Sequence, residues 1–222
     1  MKKFIVAAAA VVASLAVIGS AAAALPSNQV LSYEGGGSHV WNNDGGDSPL
    51  DANAKSLRLH VGDPAAGEYV AVYSQRSLHI DKDAESVKNL SFDFKASTHV
   101  GAGAPRISVE FQNGDIAYLS AFYSNHPIGD GWARADFTRF KSDSSFYVYS
   151  KATGSLDQYA ADGTRSAWQV YTDAHPDQIV TQAYLVADES GNYRIDRLSL
   201  GAGVMYSNGN KVGTPCPTEG SC

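Results

Sequence analysis

The segment Trp132-Ala133-Arg134-Ala135-Asp136-Phe137 sets an indole, a guanidinium and a carboxylate at alternate positions. On an extended chain alternate side chains leave on one face. Ala133, Ala135 and Phe137 therefore claim a core, and Trp132, Arg134 and Asp136 are expected to point away from it. Such a trio suits a polyhydroxylated ring, whose flat C–H face stacks on an aromatic plane while its hydroxyls take paired hydrogen bonds from Arg, Asp or Glu. Tyr118 alternates with Leu119 and Tyr184 with Leu185, each able to face outward, and Arg106 with Glu110 completes a polar floor. Arg106, Glu110, Tyr118, Trp132, Arg134, Asp136 and Tyr184 are thus the candidate carbohydrate-contact residues. Of the other two tryptophans, Trp41 reads as loop and Trp168 as core.

Catalysis needs a sharper constellation. Glycoside hydrolysis requires two carboxyl groups facing one cleft, and Glu110 with Asp136 is the one pair whose strand phases would let them share a face. The same two acids serve hydroxyl recognition without any reaction. The histidines, His39, His60, His79, His99, His126 and His175, are scattered without metal-ligand spacing. A Gly-x-Ser-x-Gly elbow is lacking, and Cys216 and Cys222 sit in the tail, away from any base. With 17 basic and 23 acidic side chains spread without blocks, the net charge of −6 argues against a nucleic-acid partner.

The elements that must position these residues are strands. Leu57, Leu59 and Val61 alternate with polar neighbours, as do Leu90, Phe92 and Phe94, and Ile107, Val109 and Phe111. Asn113-Gly114 between two such runs predicts a hairpin. Further strands are expected over 68–74, 77–80, 132–138, 146–150, 168–172, 179–187 and 192–200, about ten in all with little helix. In the last of these, Tyr193 and Ile195 hold one phase and Leu198 and Leu200 the other, which predicts a bulge around Asp196 and Arg197. Short antiparallel strands must bury a face against a second sheet, so an all-β, two-sheet antiparallel sandwich is expected over residues 25–200. Residues 142–165 read mainly as an excursion from one end.

Lys2 and Lys3 precede an apolar run to Gly19, and Ser20 to Ala24 offer small-x-small cleavage sites. Residues 1–24 are expected to be a cleaved signal peptide, the run being short of the roughly 20 apolar residues of a membrane span. The mature chain is then secreted, with no membrane span of its own. Residues 201–222 read as a flexible tail in which Cys216 and Cys222 close a small disulfide loop, as an oxidising compartment permits.

The strands Leu31-Ser32-Tyr33-Glu34-Gly35, Lys55-Ser56-Leu57-Arg58-Leu59, Leu90-Ser91-Phe92-Asp93-Phe94 and Pro105-Arg106-Ile107-Ser108-Val109-Glu110, then Gly131-Trp132 and a closing Gly191-Asn192-Tyr193-Arg194-Ile195-Asp196, follow an order that resembles the β-jelly-roll carbohydrate-binding modules, the galactose-binding-like superfold. The resemblance covers most of the mature chain and implies a non-catalytic polysaccharide binder. It also implies a structural calcium ion held by acidic side chains of the first and last strands, here Glu34 and Asp196, with Asp44 or Asp47 able to replace Glu34. Jelly rolls also serve other ends. The alternatives are a polysaccharide lyase or glycoside hydrolase on this scaffold, and a structural or surface sandwich without a small ligand.

Overall fold

Alternation of apolar and polar residues carries through into the computed structural model, which describes residues 31–42, 48–50, 55–96, 100–101, 103–207 and 210–213. The strands are β1 (Ser32–Glu34), β2 (Ser38–Asn42), β3 (Ser56–Val61), β4 (Val70–Tyr73), β5 (Lys82–Asp83), β6 (Leu90–Ala96), β7 (Arg106–Phe111) and β8 (Ile116–Ser120). They continue with β9 (His126–Gly129), β10 (Trp132–Asp136), β11 (Ser145–Tyr149), β12 (Leu156–Ala160), β13 (Ile179–Ala187), β14 (Gly191–Leu200), β15 (Met205–Ser207) and β16 (Asn210–Gly213). One α-helix, α1 (Ala167–Ala174), lies between β12 and β13.

The strands form two antiparallel sheets. One runs β1-β4-β13-β7-β8-β11-β12, with β5 against β13; the other runs β16-β15-β14-β6-β10-β9, with β3 on β14 and β2 on β3. Leu57, Leu59, Phe92, Phe94 and Ile195 of the second sheet share a single buried cluster with Ile107, Val109, Leu119, Phe146 and Leu185 of the first. The expected all-β sandwich is therefore present. The hairpin at Asn113-Gly114 joins β7 to β8, with Gly114 at φ +85° and its N–H donating to the Phe111 carbonyl. A positive φ is what glycine supplies at no steric cost.

The bulge forms where the phase slip placed it. On β14 the pairing with β6 shifts between Asp196 and Ser199, and Arg197 takes φ +46°. Tyr193, Ile195, Leu198 and Leu200 all point into the core as a result.

Five expectations are corrected. Residues 168–172 are helical: Ser166 caps α1 in a reciprocal box with Gln169, and Trp168 and Tyr171 pack inward against Phe111 and Phe146. Beyond the expected strand β11, the excursion over 142–165 also contains β12, and residues 77–80 form no strand. The chain past Gly201 does not leave the domain at once, since Val204 and Tyr206 are buried in the core and β15 pairs with β14. Trp41, read as loop, lies in β2 and donates its indole N–H to Tyr33. The signal segment and both cysteines lie outside the described residues. No helix among the described residues is long and apolar enough to cross a membrane.

Candidate functional site

The seven contact residues divide between the two outer faces of the sandwich. Arg106, Glu110, Tyr118 and Tyr184 are brought together on the first sheet. Trp132, Arg134 and Asp136 belong to the second.

On the first sheet the register aligns Tyr184 of β13, Ser108 of β7, Tyr118 of β8, Tyr147 of β11 and Gln158 of β12 in one row. Tyr73 of β4 packs against Tyr184, Ala71 and Val186 and extends the row. With strands about 4.8 Å apart, Tyr73 to Tyr147 spans four strand spacings, about 19 Å. The neighbouring row holds Glu110 beside Ile116 and Tyr149, and exposed Phe122 packs edge-on against Tyr123, which in turn packs on Tyr147.

Carboxylates hold the phenols in place. The Tyr184 hydroxyl donates to Glu110 Oε1 at 2.9 Å, and the Tyr73 hydroxyl to Glu34 Oε1 at 2.8 Å. Burial, then the adjoining Glu110 charge, raises the Tyr184 phenol. Burial and the hydrogen bond to Glu34 push Tyr73 up to about 12. Tyr118 is raised by burial against the opposing pull of Arg106. Burial thus favours the protonated phenol at Tyr73, Tyr118 and Tyr184, a form that can stack and hydrogen-bond. Arg106 is buried: it pairs with Asp188 at 2.6 Å, donates to the Gly103 carbonyl, and sets its guanidinium 5.5 Å from the Tyr118 ring centroid. It props Tyr118 and does not reach solvent. Tyr184 is only 7% exposed, leaving Tyr73, Tyr118, Tyr147, Tyr149 and Glu110 as the partly exposed groups.

The second sheet overturns an expectation. Ala133, Ala135 and Phe137 do face the core, so the phase is as read, but Trp132 is 2% and Asp136 1% exposed. This outer face is closed over at Asp93 and Asp196, while His60 and Asn192 of the same face stay exposed. The Ser48 hydroxyl lies 2.5 Å from Asp93 Oδ2, the Ser48 N–H donates to Asp196 Oδ2, and Arg197 donates to the Leu50 carbonyl. Residues 48–50 therefore form a strap over adjacent Asp93 and Asp196. Arg134 is committed to Asp93, Nε to Oδ1 at 2.7 Å. Asp136 accepts from the Thr138 and Arg139 N–H groups and the Thr138 hydroxyl, and burial raises its carboxyl above the ordinary aspartate value. With Glu110 and Asp136 on different sheets, no shared cleft exists for that pair to hydrolyse a glycoside.

Glu34 and Asp196 are likewise separated, Glu34 on β1 of the first sheet and Asp196 on β14 of the second. They do not fit one calcium cage. Asp44 and Asp47 lie outside the described residues, and among those described no group of three or more acidic, His or Cys side chains could hold a metal ion.

Tyr73, Tyr147 and Tyr149 were missed in the sequence. The signal for the latter two was present, since Phe146 and Val148 alternate with them. Comparison with family models, with curated proteins and with solved structures gives no match.

Proposed function

We propose that the tyrosine-bearing outer face binds polysaccharide, and that the chain is a secreted, non-catalytic carbohydrate-binding protein. The observation that carries this reading is the single row of tyrosines across the first sheet, flanked by carboxylates that anchor their hydroxyls. Aromatic planes at strand spacing suit a run of sugar rings, and Glu110 and the phenols suit their hydroxyls. The separation of Glu110 from Asp136 on different sheets favours binding over hydrolysis by that pair. Calcium stays in the proposal only through Asp196 with Asp44 or Asp47.

The test is retention of the mature chain on a panel of insoluble and soluble glycans, read together for new reducing or unsaturated ends. Retention without new ends, lost in Tyr118→Ala and Tyr147→Ala variants that melt near the parent, supports the reading. Cleavage promotes the lyase or hydrolase, and failure to bind any glycan favours a structural sandwich. N-terminal sequencing of exported material should begin between Leu25 and Ser27; an intact Met1 refutes secretion by signal cleavage.

A further inference from the structure

A cavity of about 180 Å³ opens between α1 and the β11–β12 edge of the first sheet, on the side turned away from the tyrosine row. Asp115 of the β7–β8 turn, Ser155 of the β11–β12 turn, Asp157 and Tyr159 of β12, and Tyr171 and His175 of α1 and its cap are among the residues that line it. Its lining carries two carboxylates and no Lys or Arg side chain.

Three further observations restrict what could enter. The Tyr159 hydroxyl and His175 Nε2 satisfy each other at 2.7 Å. Tyr171, 1% exposed, keeps a buried hydroxyl without a hydrogen-bond partner. An orphaned buried polar atom is costly and needs a reason. The rings of Tyr159, Tyr171 and His175 contact one another, with centroids 4.7 to 5.7 Å apart, and give the cavity an aromatic wall. Asp115 already accepts from the Lys151 N–H and Asn113, and Asp157 from Ser155, but each carboxylate has further acceptor capacity.

We infer that this cavity binds a primary ammonium group, carried by a small amine or a single amino sugar, with Asp115 and Asp157 as its charge partners and the Tyr171 hydroxyl as a further acceptor. An ammonium brings three N–H donors and no acceptor, which matches an acidic lining and an unpartnered phenol oxygen. Aromatic walls favour an organic cation over a strongly hydrated divalent ion, and Asp115, Asp157 and His175 do not approach closely enough to hold a metal. An anion would meet both carboxylates. Their field is already felt by the neighbours: burial raises Tyr171 and Tyr159, with Asp115 adding to both and Asp157 to Tyr159. Gln178 offsets a little of the Tyr171 rise without completing a hydrogen bond. This inference does not rest on the glycan reading, because the cavity and the tyrosine row lie on opposite sides of the sheet.

Amide spectra of the labelled full chain, titrated with glucosamine, ethylamine, glucose and N-acetylglucosamine at neutral pH, decide it. Saturable shifts confined to residues 150–157 and 171–175 are expected with the amines and not with the two neutral sugars. A response to both amines makes the ammonium alone the ligand, whereas a response to glucosamine only assigns an amino sugar. Asp157→Asn, on an exposed edge strand, should weaken the response about tenfold, the factor one charge-assisted hydrogen bond carries, and Tyr171→Phe should weaken it with little change in melting. Equal shifts with glucose, an unchanged response in Asp157→Asn, or no saturable shift with either amine would overturn the inference. Should Tyr171→Phe fail to fold, Asp157→Asn alone carries the test.

Discussion

Replacing Arg134 by methionine should unfold this protein at a markedly lower temperature without touching the tyrosine face. Arg134 Nε lies 2.7 Å from Oδ1 of Asp93, whose side chain is fully buried. Asp93 stands in register with Asp196, equally buried. Methionine keeps the apolar stem but leaves two carboxylates side by side, with the Ser48 hydroxyl as the remaining neutral partner named for Asp93. Breaking a buried pair from one side costs about 3–5 kcal/mol. For a chain of this size each kcal/mol moves the melting midpoint by about 2–4 °C, so a drop of about 6–20 °C is expected. In the double variant Asp93→Asn, Arg134→Met the stranded charge is gone, and at least half of the loss should return. Calorimetry of the parent, both single variants and the double variant measures the coupling directly. A drop under about 2 °C for Arg134→Met, or a double variant less stable than that single variant, would refute the reasoning. Loss of glycan retention with unchanged melting would return Arg134 to the contact surface.

Trp132→Ala should cost about 3–5 kcal/mol, as for other buried tryptophans, while leaving glycan retention intact; abolished binding with normal melting would move the site to the second sheet. Because burial raises the Asp136 carboxyl, its folded pKa exceeds its unfolded one, so its contribution to stability falls as pH rises through the window above about 4. Asp136→Asn removes that slope, and the melting difference between variant and parent, followed against pH, should therefore move in the variant's favour as pH rises; the opposite sign refutes the assignment. If Asp196 binds calcium with Asp44 or Asp47, stability rises by about 2.7 kcal/mol at a hundredfold excess over the dissociation constant. Identical melting in chelator and in millimolar calcium removes the metal from the proposal.

Local pattern made much of this architecture legible. Alternation at Leu57, Phe92 and Ile107 identified core strands, and the phase slip at Asp196 and Arg197 located the bulge, because both are set by neighbours in the chain. The helix at Ala167 was misread since one run of five residues carries either period, although Ser166 and Gln169 already spelled a capping box. Strand β12 was invisible for the reason that it is an exposed edge with almost no buried side chain. The site was half legible: the outward phase of Tyr118 and Glu110 follows from alternation, and so does that of Trp132. Which outward face stays open does not, because the strap over Asp93 and Asp196 comes from residues more than forty positions away in sequence.

Between Asp196 and Ser199 strand β14 spends three steps where β6 spends two. Excise Arg197 and the remaining order, Tyr193, Arg194, Ile195, Asp196, Leu198, Ser199, Leu200, becomes an unbroken alternation with every large apolar group still inward. The core thus has no use for this residue. It is an insertion, held at a left-handed backbone angle that an arginine adopts only at a cost, and its guanidinium fastens the Leu50 carbonyl. A chain lacking Arg197 should keep its sandwich and lose this buckle, leaving Ser48 alone to hold the strap on Asp93 and Asp196.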